Sequence, residues 1–225
     1  MLTSILLATH GRPQLLESCI QSLFDTTFGF DIELIVTLDD DPISWKLLYK
    51  WKEKLPIRVD YSDRKRGALW AWNNCLRYSS GGILMPIGND QKFYPNWLSL
   101  ALQAHKEKLG GYGCVAVNDL MHDAETSVGT TLLFDRKFCK EVFGGVVAYE
   151  CYKYYRVDLE LNARAKRAGK YYWCRESIVE HIHCANGKRE QDDSDTARIP
   201  FWDYDEQLYN QRMAAGWPND FEPVI

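Results

Sequence analysis

Apolar residues fall in short runs and in helical spacings that alternate along the first half of the chain. Ser4 to Ala8 reads as a strand, and Leu15, Leu16, Cys19, Ile20 and Leu23 recur at helical spacing over residues 13–25, with Pro13 suited to a helix start. After a loop at 26–31, a second strand runs from Ile32 to Leu38. Trp45, Leu47, Leu48 and Trp51 predict a helix over 43–53, stopped by Pro56. A third strand at 57–61, a helix over 67–79 closed by Gly81-Gly82, and a fourth strand at 82–87 follow. Pro95 opens a helix carrying Trp97, Leu98, Leu100, Ala101 and Ala104, closed by Gly110-Gly111. Strands are expected at 112–118 and 130–134, a helix from near Lys137, and another from Val157 to Ala168. Short strands at 171–174 and 178–183, a polar and mobile stretch at 187–196, and an amphipathic helix over 201–215 complete the pattern. Strand and helix alternate through the first 118 residues, which predicts an α/β fold with a mostly parallel sheet flanked by helices. No repeat or linker-like tract divides it.

Three of the expected strands run into polar clusters: Thr9-His10-Gly11-Arg12, Asp39-Asp40-Asp41 and Asn89-Asp90. In a parallel sheet those ends share one edge, where α/β folds bind ligands. The cluster is rich in carboxylates and basic groups, a composition suited to a phosphate-bearing substrate bridged by a hard divalent cation. Several other chemistries lose their support. There is no G-x-G-x-x-G after the first strand, no Walker A run and no G-x-S-x-G elbow.

Composition narrows the setting. The chain has 225 residues, enough for one sizeable domain, and is 46% hydrophobic and 26% charged. Its eight Trp and thirteen Tyr exceed what a core needs, so part of them is expected to line a groove for a flat or sugar-like ligand. A net charge of −4 gives no global attraction to nucleic acid or acidic membranes. Seven scattered cysteines without a C-x-x-C pair argue against a disulfide framework or structural zinc and for a reducing compartment. No apolar run reaches the length of a membrane span, so the expectation is a soluble, cytoplasmic protein.

The order of the motifs resembles family 2 glycosyltransferases of the GT-A fold. Ser4 to Pro13 resembles that family's opening strand and T-x-N-R-P turn, and Ile35 to Asp40 its second strand ending in paired aspartates. Arg66 to Asn74 stands where the family has a Gly-x-x-x-A-x-N helix start, Asn89-Asp90 at the metal-binding D-x-D, and Pro95 to Leu98 at the helix after it. Val157 to Gly169 lines up with the E-D-x-D-L-x-x-R-x-x-x-A-G helix, and Glu180 to His183 with a strand-borne histidine. The likeness spans roughly residues 3–185.

The resemblance implies a GT-A domain over residues 1–200, with a C-terminal helix and tail at 201–225 packed on it. It implies a nucleotide-sugar donor, UDP-linked by expectation, and inversion at the anomeric carbon. Asp158 would be the general base and Glu160 would orient the acceptor or a neighbour. Asp90, with His181 or His183, would hold Mn²⁺ or Mg²⁺ on the diphosphate. Thr9, His10, Arg12, Asp39 or Asp40, Arg66, Asn73 and Asn89 would bind the nucleotide end, while Trp70 and Trp72 would stack on a sugar or sit in the core. Gly88 replaces the first acid of the D-x-D and Val157 the family's Glu. Those departures leave a non-catalytic nucleotide- or glycan-binding domain as one alternative; a nucleotidyltransferase, lacking its Gly- and Lys-rich loop, is another. The acceptor stays open between a glycan, a lipid-linked glycan, a protein and a modified nucleic-acid base, as does the oligomeric state.

Overall fold

The apolar runs are continuous because both faces of the sheet are covered, and successive strand residues supply the two faces in turn. In β1 (Thr3–Thr9), Ile5 and Leu7 join one core and Leu6 the other. In β2 (Ile32–Asp39), Leu34, Val36 and Leu38 oppose Ile35 in the same way. The computed structural model describes residues 1–52, 56–122 and 128–225. Among these residues the sheet has eight strands. They also include β3 (Ile57–Ser62), β4 (Ile83–Ile87), β5 (Gln91–Phe93), β6 (Cys114–Asn118), β7 (Leu132–Asp135) and β8 (Tyr171–His181), in the order β3-β2-β1-β4-β7-β6-β8-β5.

Helices α1 (Pro13–Thr26), α2 (Pro42–Lys52) and α4 (Trp97–Leu109) bury their apolar stripes against the first core. Helices α3 (Ala68–Tyr78), α5 (Arg136–Val142) and α6 (Val157–Arg167) cover the second. The last residue of the helix expected at 43–53 lies outside the described residues.

Strands β3, β2, β1 and β4 are parallel. β7 runs antiparallel to both β4 and β6, so β6 and its parallel neighbour β8 point the same way as β1. Two reversals thus return the carboxyl ends of β6 and β8 to the edge shared by β1, β2 and β4. β7 pairs only with Ile83 and Leu84 of β4. Beyond them stands Pro86, which has no N–H to donate to a ladder. The sheet opens there, beside a cavity whose lining includes Pro86 and Ile87.

Three expectations are corrected, and one strand was not foreseen. The two short strands at 171–174 and 178–183 are one strand, β8, with an irregularity where its register against β6 shifts after Val117. Gln91–Phe93, too short for a periodic signal, forms β5 antiparallel to β8. The stretch at 187–196 includes a short helix, α7 (Asp193–Thr196), closed by a reciprocal capping box between Asp192 and Asp195. The last helix, α8 (Trp202–Ala214), is not conventionally amphipathic: its buried residues are Asp205 and Arg212. The Asp205 carboxylate, fully buried, accepts the backbone N–H groups of Lys153, Tyr154 and Tyr155 at 2.8, 2.8 and 2.7 Å. No helix among the described residues is long and apolar enough to cross a membrane.

Candidate active site

A cavity of about 460 Å³ lies at the carboxyl edge of the sheet, and nine of the expected residues line it: Thr9, His10, Arg12, Asp39, Asn89, Asp90, Asp158, His181 and His183. Strand register explains the meeting of the first group. Leu7 pairs with Ile87, so two residues on Thr9 stands beside Asn89, whose amide donates to Thr9 Oγ1 at 2.8 Å and to the Gly11 carbonyl at 3.0 Å. Gln91 pairs with His181, which brings Asp90 against the histidine.

The run Asp39-Asp40-Asp41 divides into three tasks. Asp39 is buried, and its two oxygens accept the Arg66 and Gly67 N–H groups, each at 2.7 Å, fixing the turn that starts α3. The Asp39 carbonyl accepts from His10 Nδ1 at 2.6 Å, so the proton of that imidazole sits on Nδ1. Asp41 accepts the Ser44 N–H at 3.0 Å at the start of α2. Asp40, left-handed at φ 54°, is exposed and outside the cavity, which corrects its expected place in the nucleotide site.

Three further assignments are corrected. Asn73 is buried with its amide spent on the 147–150 segment: Nδ2 donates to the Ala148 carbonyl and Glu150, both at 2.8 Å, and Oδ1 accepts the Val147 and Ala148 N–H groups. Arg66 stacks 4.4 Å over Trp70 and lines an adjoining cleft of about 260 Å³ rather than the main cavity, while its neighbour Lys65 lines both. Glu160 is fully buried, bridging Arg164 (2.7 and 2.9 Å) and Arg212 (2.9 and 3.1 Å) and accepting from the Tyr152 hydroxyl at 2.7 Å. No acceptor can reach it; what it orients is Tyr152 and the two arginines.

Asp90 is buried between two partners, Arg12 Nη1 at 3.2 Å on one oxygen and His181 Nε2 at 3.4 Å on the other. Burial pushes its carboxyl up, but the hydrogen bond and charge of His181 and the charge of Arg12 outweigh this and hold it at about 2. Burial likewise lowers His181, and the hydrogen bond and charge of Asp90 more than reverse it. Asp158, half-buried in the first turn of α6, is raised by burial, which outweighs the opposing Leu159 N–H. One carboxylate of the cavity is therefore held ionised and another is made a better base.

The donor set fits a divalent cation with two protein ligands. Asp90 Oδ1 and His181 Nε2 stand 3.4 Å apart, close to the roughly 3 Å between neighbouring ligands on a Mg²⁺- or Mn²⁺-sized ion. His181 Nδ1 is buried and has no hydrogen-bond partner in the structure. A Cβ on Gly88 would lie 2.8 Å from Asp90 Oδ1, so an acid there would displace the Asp90 carboxylate; with Gly at this position the remaining ligands would come from the donor's phosphates and water. His183 is not a third ligand, a correction to expectation. Its Nδ1 accepts the Ala185 N–H at 3.1 Å and its Nε2 faces Arg198 at 3.3 Å. Burial, with the charges of His181 and Arg198, lowers it to about 4. His183, Cys184 and Asp195 bring ligand atoms within 4.8 Å of one another, yet Arg12, Arg189 and Arg198 converge on Asp195 and would repel a cation there.

Residues 4–182 match the family described as glycosyl transferase family 2. The chain belongs to that family. Among solved structures it is similar to a mannosyltransferase from Pyrobaculum calidifontis, PcManGT, in complex with GDP-Man and Mn²⁺, with TM-score 0.66, 16% identity, and coverage of 80% of this chain and 56% of that one. S. aureus TarS 1-349 in complex with UDP gives TM-score 0.67 and 13% identity, covering 80% and 59%. The same protein in complex with UDP-GlcNAc gives 0.66 and 13%, covering 80% and 57%. The family 2 chain thus shares the GT-A fold and spans a little over half the length of these solved chains. No curated sequence matches it.

The family 2 chain carries cavity residues that motif reading missed: Lys65, Met121, His122, Tyr155, Arg156 and Trp202 among them. A signal for one group was present. Asn118-Asp119 ends β6 in polar residues just as the other three clusters end their strands, but β6 could be assigned to the same edge only once its direction was known. Trp72 also lines the cavity, and its indole N–H donates to the Ile87 carbonyl, at 2.7 Å, beyond the point where β7 leaves β4.

Proposed function

We propose that this family 2 protein is an inverting glycosyltransferase that moves a sugar from a UDP-linked donor to an acceptor hydroxyl. The observation that carries this reading is the opposite tuning of two carboxylates in one cavity, Asp90 held at about 2 and Asp158 raised. Such divergence lets one carboxylate keep a charge for binding while the other moves a proton. Asp158 takes the acceptor's hydroxyl proton as the oxygen attacks the anomeric carbon. The bond to the diphosphate breaks with its electron pair, and a single displacement inverts the centre. Asp90 and His181 would hold Mn²⁺ or Mg²⁺, which supplies charge stabilisation to the departing diphosphate. Arg12 adds a cation beside Asp90, and Lys65 another at the cavity wall. Thr9, His10 and Asp39 line the nucleoside end. The nucleotide and nucleotide-sugar complexes of the structural neighbours support this donor class. The scattered cysteines support a cytoplasmic setting.

The test is a thermal-shift screen of UDP-GlcNAc, UDP-glucose and GDP-mannose with and without Mn²⁺, followed by donor cleavage assays. Asp158→Asn is expected to lower cleavage about 10²–10⁴-fold while leaving UDP binding intact. A wild-type protein that binds UDP but cleaves no donor would support a binding module instead, and a product of retained configuration would refute the single displacement.

A further inference from the structure

A second base faces the cavity that holds Asp158. Asp119, just beyond β6, is 1% exposed. Its Oδ1 accepts the Met121 and His122 N–H groups at 2.9 and 3.0 Å, and its Oδ2 the Thr130 N–H at 3.1 Å and hydroxyl at 2.8 Å. The carboxylate is therefore an acceptor only. Its contact with His122 Nδ1, at 2.9 Å, then carries the imidazole's proton on Nδ1, and Nε2 is the atom left with a lone pair. The ring is 31% exposed and lines the cavity together with Met121, Thr130 and Asp158. Fixing an imidazole by a buried carboxylate at one nitrogen is how proteins aim the other at a substrate.

The contact is not needed to satisfy Asp119. Without His122's ring the carboxylate keeps four donors, three backbone N–H groups and a hydroxyl. His122 and Asp119 stand apart from the nucleotide end, where Thr9, His10 and Asp39 are placed; the Asp119 backbone carbonyl accepts the His181 N–H at 3.0 Å, while its carboxylate is given to His122, Met121 and Thr130.

We propose that His122, oriented by Asp119, is an acceptor-binding residue whose Nε2 accepts a hydrogen bond from a second hydroxyl of the molecule that presents its reacting hydroxyl to Asp158. This rests on the glycosyltransferase reading above and narrows it, because the acceptor must then carry at least two hydroxyl groups, as a sugar or polyol does and a lone serine side chain does not. Asp119 is a positioning residue that sets the tautomer.

Two measurements test this. In wild-type protein labelled with ¹⁵N-histidine, the His122 proton is expected on Nδ1; a proton on Nε2 overturns the proposal whatever the acceptor is. Second, sugar transfer from UDP-GlcNAc and GDP-mannose is measured with glucose, mannose and glycerol as polyol probes and ethanol as a one-hydroxyl probe. His122→Ala is expected to raise the KM of the polyols about fivefold to tenfold, the effect of one hydrogen bond. The loss should be confined to the polyols, so that kcat/KM for polyols falls relative to that for ethanol, while His122→Gln, which restores an acceptor oxygen, recovers part of the loss. An unchanged polyol KM in His122→Ala, an equal loss with ethanol, or weakened UDP binding overturns the proposal. If the wild type cleaves no donor, the failure belongs to the glycosyltransferase reading; an active wild type matched by His122→Ala refutes this proposal alone.

Discussion

Glu160→Gln separates a structural from a catalytic role for a residue two positions from the proposed base. Glu160 is fully buried and takes both Arg164 and Arg212 at 2.7–3.1 Å. Gln keeps the volume but loses the charge and turns an N–H₂ toward one of the guanidiniums. Arg212 retains Asp220 at 2.7 Å, a residue 58% exposed, and the Pro218 carbonyl at 3.0 Å. Arg164 retains only neutral partners, Asn219 Oδ1 at 2.6 Å and the Pro218 carbonyl at 3.0 Å. Removing one partner of a buried ion pair costs about 3–5 kcal/mol, and the surviving partners argue for about 3 kcal/mol here. For a protein of this size each kcal/mol lowers Tm by roughly 2–4 °C, so the expected drop is about 6–12 °C. Thermal unfolding followed by circular dichroism reads it. A double-mutant cycle with Arg212→Met should return a coupling of about 1–3 kcal/mol, because the second substitution removes one of the stranded charges. Donor cleavage per folded molecule, measured well below the lowered Tm, should stay within about threefold of wild type, as expected of a buried group remote from substrate. A Tm within about 2 °C of wild type, or intact stability with lost cleavage, would refute the anchoring role.

Two further outcomes follow from the site and its scaffold. Asp90→Asn and His181→Ala should each abolish the strengthening of UDP binding by Mn²⁺ in isothermal calorimetry, and an undiminished Mn²⁺ effect in both would remove the two-ligand site. Asp135 accepts the Phe138 N–H at 2.7 Å at the start of α5, the Gly113 N–H at 2.8 Å and His105 Nε2 at 3.2 Å. Burial opposes its ionisation, but the hydrogen bonds from His105, Gly113 and Phe138 outweigh it and lower its carboxyl. Because the folded value lies below the unfolded one, its contribution is full above the ordinary 3.8 and is lost as pH falls through the depressed value. The stability gap between wild type and Asp135→Asn in urea should therefore be constant from pH 7 to 5 and close on further acidification; a gap that widens toward low pH would contradict the assignment.

What could be read from the chain alone, and what could not, divides along physical lines. The strands were legible because a doubly covered strand must be apolar at every position, and their polar ends were legible as a shared edge because parallel pairing aligns them. Identical residues in a row were not. Asp39, Asp40 and Asp41 differ in task because strand alternation and the left-handed backbone at Asp40 send them to different neighbours. Asp158 and Glu160 are a case where the spacing held the answer. Two residues apart on a helix are about 200° apart around it, so when Asp158 faces the cavity Glu160 must face inward. The C-terminal helix was the least legible, since its inward positions, Asp205 and Arg212, are charged and seven residues apart, a same-face spacing invisible to any apolar pattern. They are buried because the surface they meet is itself polar. Asp205 meets three backbone N–H groups of the segment that brings Tyr155 and Arg156 to the cavity, and Arg212 meets Glu160, two residues beyond Asp158 on the opposite face of α6. Helix α8 lies beyond the residues matching family 2, yet it holds both the cavity wall and the base of the helix that carries Asp158. Charged residues at core positions of such an extension thus point to a site that the extension helps to build.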